Sequence, residues 1–186
     1  MNMMRKGLLI AGIVLAGEGC SYGVRGGVAG FANTAGPIAV DADVAGGIGL
    51  GDDGSSYNGF HMTGEVAVGY DAAGQALHVA TLIGIEGFRQ PTDSSSPLGF
   101  RAGAAGGIDA GRDDGTMSAL VLATGGGRYR LGDSGHTVTF FDFGGALGGG
   151  IGIDGANGKE GESGFVGMLT LGFGVLHVDH WDMRFR

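Results

Sequence analysis

Asp41 and Asp43 stand two residues apart in PIAVDADVAGGIGLG (37–51), and charges spaced like this among small residues recur down the chain. Successive side chains of an extended strand point to opposite faces. Asp41 and Asp43 therefore share a face with Ala39, Ala45, Gly47 and Gly49, while Ile38, Val40, Val44, Ile48 and Leu50 share the other. Glu65, Glu86, Asp109 and Asp142 hold matching positions in later stretches, as does Arg101, with Arg25 and Arg128 as further candidates. Charges taken out of water must be paired or hydrogen-bonded. The expectation is an enclosed carboxylate–arginine network of Asp41, Asp43, Glu65, Glu86, Arg101, Asp109 and Asp142, with acids in excess and protonated carboxyls or trapped water balancing them. No spacing singles out a pair of carboxylates for acid–base work.

Other chemistry-bearing residues gather less well. His177, Asp179, His180 and Asp182 offer imidazole and carboxylate ligands, but alternation puts His177 and Asp179 on one face and His180 and Asp182 on the other. A metal site would need a donor from a neighbouring strand, such as His61 or His78. Gly150 to Gly155 fits GxGxxG, yet a dinucleotide fingerprint must open a helix, and glycine-rich sequence follows instead. Gly149 to Asp154 looks like one calcium-binding nonapeptide of toxin-type β-rolls, which need tandem copies. Gly132-Asp133-Ser134-Gly135 is similar to the nucleophile loop of trypsin-like proteases, but its partner motifs are absent and a hairpin turn is expected. No catalytic set, cofactor or metal is expected.

The elements that must position these residues are eight two-faced stretches: 21–31, 37–51, 57–70, 75–88, 98–109, 117–130, 137–153 and 165–185. The alternation slips near Val175–Leu176, where a bulge is expected. Asp- and Gly-rich turn signals at 52–56, 71–74, 111–115 and 131–135 separate them, with longer connections at 89–97 and 154–164. Two-faced strands joined by short turns predict an all-β, antiparallel up-and-down barrel of about eight strands.

Composition agrees. The chain has 186 residues, 44 glycines and 3 prolines, with no collagen period and too many apolar residues for a linker. Glycine at this level disfavours long helices. The net charge of −8 argues against nucleic acid as a partner. Arg5 and Lys6 precede an apolar run over 7–17, the pattern of a signal peptide, expected at 1–19. A single domain is expected over 20–186. Cys20, the one cysteine, resembles the lipidated residue of a bacterial lipoprotein signal, although the box before it reads Gly17, Glu18, Gly19 without the usual leucine. Ordinary cleavage, leaving a free thiol, is the alternative.

The remaining question is which face points inward. The stretches run to 11 residues or more, whereas membrane-spanning strands need about 9–11 and soluble strands average about 5–6. Lys159 is the only lysine after the signal, and Tyr57, Phe60, Tyr70, Phe88, Phe100, Tyr129, Trp181 and Phe185 lie near stretch ends, as interfacial aromatic girdles do. With Trp181, Met183 and Phe185 alternating near its end, the chain resembles the small eight-stranded outer-membrane barrels of Gram-negative bacteria. That resemblance implies an outer-membrane location, lipid as partner and a structural or surface-interaction role, with 154–164 meeting surface or envelope components. It also puts both chain ends in the periplasm, so the long 89–97 connection falls where short turns are expected. The alternative is a lipid-anchored soluble barrel with the faces inverted, binding an apolar small ligand.

Overall fold

Strict alternation of large apolar with small or charged residues commits these stretches to extended backbone, and the closure of the sheet then decides which face is enclosed. The computed structural model describes residues 19–34, 38–52, 56–71, 76–91, 96–110, 117–153 and 163–179. They form β1 (Gly19–Asn33), β2 (Ala39–Asp52), β3 (Ser56–Asp71), β4 (Leu77–Pro91), β5 (Leu98–Ala110), β6 (Met117–Ser134), β7 (Thr137–Ile153) and β8 (Gly164–Val178). Each strand pairs antiparallel with the next, and β8 pairs with β1, closing an up-and-down barrel. The expected signal segment lies outside the described residues up to position 18, and Gly19 already pairs with Gly51. Trp181, Phe185, His180 and Asp182 also lie outside them.

The apolar face is the exterior. Ile48, Phe60, Val121 and Leu169 are each about 70% exposed, and every strand contributes such residues. The inverted arrangement, with this face lining a ligand cavity, is not the one the chain adopts. β2 and β3, β4 and β5, and β6 and β7 follow one another at the end that holds Gly19 and Val178; β1 and β2, β3 and β4, β5 and β6, and β7 and β8 do so at the other. The 89–97 connection is shorter than expected because β4 continues through Arg89, Gln90 and Pro91, with Gln90 fully buried.

Two expectations are corrected here. Tyr57 and Phe88 do not join an outer girdle; both are buried in the lumen, in phase with His61 and Glu86 on their strands. The β8 register runs unbroken past Val175 and Leu176, and the irregularity falls on β6 between Arg130 and Gly132. The apparent slip arose because Leu176 points into an apolar part of the lumen while Val175 points outward. The interior is layered as a result. Tyr57, Phe88, Val138, Phe140, Leu176 and Val178 fill the end near the termini, and Phe31, Leu82, Leu120, Leu122, Val166 and Met168 fill the loop side.

Glycine makes the tight closure possible. Gly27 faces Gly172 across the β1–β8 seam, and a Cβ on Gly27 would collide with the Leu171 carbonyl oxygen. At the hairpin tip, Gly135 takes a φ of 61°, the left-handed region that side chains with a Cβ adopt at a cost. Its carbonyl accepts a hydrogen bond from the Tyr57 hydroxyl at 2.8 Å, which ties the β6–β7 turn to β3.

Candidate functional site

Between the two apolar layers lies a belt of charge held by residues from seven strands. Asp142 on β7 is fully buried and receives three guanidiniums. Arg101 donates to both its oxygens, from Nη2 at 2.9 Å and Nε at 3.0 Å, the bidentate geometry in which charge-assisted hydrogen bonds are strongest. Arg25 Nη1 reaches Oδ1 at 3.2 Å, and Arg128 Nε reaches Oδ2 at 3.3 Å. Glu86 joins Arg101 Nη1 at 3.1 Å to Arg128 Nη2 at 2.7 Å. Arg25 Nη2 completes the belt, 3.0 Å from Asp43 and 3.3 Å from Glu65. The Arg128 guanidinium also lies over the rings of Phe140 and Phe88, at 5.0 and 5.8 Å, so it joins the charged belt to the apolar layer below.

Asp41 and Asp109 were expected in this same network, but they form a second cluster. His78 stands between them, with Nδ1 2.7 Å from Asp41 and Nε2 2.9 Å from Asp109, and its ring lies 5.0 Å from that of Phe31. Register explains the division. Asp41 pairs with Gly69, which pairs with His78, whereas Glu65 and Glu86 enter the lumen nearer the chain termini. A third contact was not anticipated: Ser21 Oγ meets His61 Nε2 at 2.9 Å, both buried. Their inward parity on β1 and β3 was visible in the sequence, but their meeting across β2 was not.

The arrangement is suited to holding strands together. Glu86, the carboxylate directly across the β3–β4 ladder from His61, is bound to Arg101 and Arg128 and so does not orient the imidazole for catalysis. His177, on the exterior, has both nitrogens engaged, by Thr137 at 2.7 Å and Asp179 at 2.9 Å. Among the described residues no group of three or more His, Cys, Asp or Glu could hold a metal ion. Ser134 of the protease-like tetrapeptide ends β6 at an exposed turn, and Gly150 to Ile153 continue β7 where a fingerprint would open a helix. Cys20 points outward from the first residues of β1, and its carbonyl accepts from the Asp179 amide at 2.8 Å. Of the 154–164 segment, Ser163 and Gly164 are described, and Ser163 Oγ accepts from the Gly152 amide at 2.9 Å.

A closed eight-stranded antiparallel barrel, apolar outside and filled with charged and apolar side chains inside, is the class this geometry defines. The crystal structure of Neisserial surface protein A has this fold. It superposes with a TM-score of 0.54 over 86% of this chain and 97% of that one, at 14% sequence identity. No family model and no curated protein matches the sequence.

Proposed function

We propose that this chain is an exported outer-membrane barrel with a structural or surface-interaction role, anchored in addition by lipid on Cys20. The observation that carries the reading is the outward belt of large apolar side chains around a closed barrel. Soluble monomers rarely expose contiguous apolar patches beyond a few hundred Å². Here such residues encircle the molecule, on strands of 13 to 18 residues. Closure leaves no sheet edge, so every strand can meet hydrocarbon with its backbone groups paired. The likeness to a protein named as a surface protein supports the same location. The 154–163 connection, the longest, is the surface offered to envelope or external components. Cys20 projects toward the surrounding lipid at the end of the barrel that holds the termini, where an attached acyl chain would enter the bilayer.

The test is electrophoresis of the detergent-refolded Cys20→Ser protein without residues 1–19. A band that migrates differently before and after boiling supports the membrane barrel. A protein that is soluble without detergent and shows no shift overturns it. The mass of the natural chain isolated from membranes tests the anchor separately: an acyl increment at Cys20, absent from Cys20→Ser, is expected.

A further inference from the structure

The charged belt leaves a cavity of about 60 Å³ in which the centre of a water molecule fits. Arg25, Glu65, Glu86, Arg101 and Arg128 supply its charges, and Thr63 and Thr124 also line it. Phe140 and Leu176 bound it toward the termini, and Leu82 and Ala105 toward the loops. Two polar atoms of this lining, Arg128 Nη1 and Glu65 Oε1, have no donor–acceptor partner in the protein, and the Glu65 carboxyl also meets the carboxyl of Asp43. Arg128 is 8% exposed, so bulk water does not serve it.

We infer that this cavity is a binding site for a small cluster of ordered water molecules that bridges Arg128 Nη1 to Glu65 Oε1. The chemistry of the lining selects the ligand. An anion drawn to Arg128 would meet Glu65 and Glu86, and a cation drawn to Glu65 would meet three guanidiniums. A neutral molecule that both donates and accepts answers the two orphaned atoms together. The space admits about four waters, which can bond to one another as well as to the polar lining, Thr63 and Thr124 included. The inference rests on lumen geometry alone and holds whatever the barrel contacts outside.

The test uses deuterated, ¹⁵N-labelled protein refolded in deuterated detergent. Water cross-peaks with the sign of long-lived bound water are expected at the Thr63 and Thr124 amides and at Arg128 Nε–H. They are not expected at the Leu120 and Val166 amides in the apolar layer. Their absence from all three chamber sites overturns the inference. So does a shift of the Arg128 resonance when sodium is exchanged for potassium or chloride for sulfate, which would mean a bound ion. Ala105→Leu gives a second reading. Filling a hydrated site should abolish the cross-peaks and lower the melting temperature, whereas a rise would mean a dry void had been filled. If that variant does not refold, Ala105→Val is read in the same way, and the unmodified protein's spectrum decides.

Discussion

Asp142 is the residue on which the interior charge turns, because Arg25, Arg101 and Arg128 all converge on its two oxygens. Asp142→Asn keeps the shape and removes the charge on which three buried guanidiniums converge. Breaking a buried ion pair from one side costs about 3–5 kcal/mol. A loss in that range is expected in urea unfolding of the vesicle-inserted protein. Asp179 bonds His177 at the exposed rim, where ion pairs are worth about 0–1 kcal/mol, so Asp179→Asn in the same assay should change stability by no more than that. Comparable losses for the two variants would mean that the belt does not hold the fold together. The same parity rule that collects these charges also places Tyr57 and Phe88. Each keeps step with an inward charged or polar residue on its own strand, so their burial was legible without the structure.

At the scale of the strand, two glycines of β1 on opposite faces differ in the room they have. Inward Gly27 sits where neighbouring backbone leaves no room for a methyl group, while outward Gly30 has no heavy atom within 4 Å of a would-be Cβ. Gly27→Ala must push β1 away from β8 at the seam, and overpacking of that kind costs about 1–3 kcal/mol or more. Gly30→Ala should be neutral or stabilise by up to about 1 kcal/mol, because a strand loses less backbone entropy with alanine than with glycine. The fraction of each variant that refolds into micelles, followed by circular dichroism, measures the difference. Equal refolding would show that the seam is looser than its geometry requires. The pairing of Gly27 with Gly172 was beyond sequence reading, since it joins the first strand to the last.

For the whole molecule, apolar layers close the lumen on both sides of the charged belt. Eight strands leave an interior just wide enough for side chains to fill. Reconstituted into a planar bilayer, the protein is expected to give no stepwise conductance, and stable ion-conducting steps would contradict the layered interior. At the loop end, the 154–163 connection extends furthest along the sequence between any two strands.

The sequence by itself determined the all-β class, about eight strands, the antiparallel order and the two faces of the strands, because alternation is a local property of extended chain and turn chemistry is local too. It also marked Asp43, Glu65, Glu86, Arg101 and Asp142 as sharing a face with small residues. Which charges would meet was decided only by tertiary structure. Arg25 finds Asp142 across 117 positions and Arg128 finds Glu86 across 42, distances bridged by closure and register. The division of the acids into one group around three arginines and another around His78 has the same origin. A shift of one residue in pairing would turn every side chain to the opposite face, and no feature within a single strand fixes how far the next one slides.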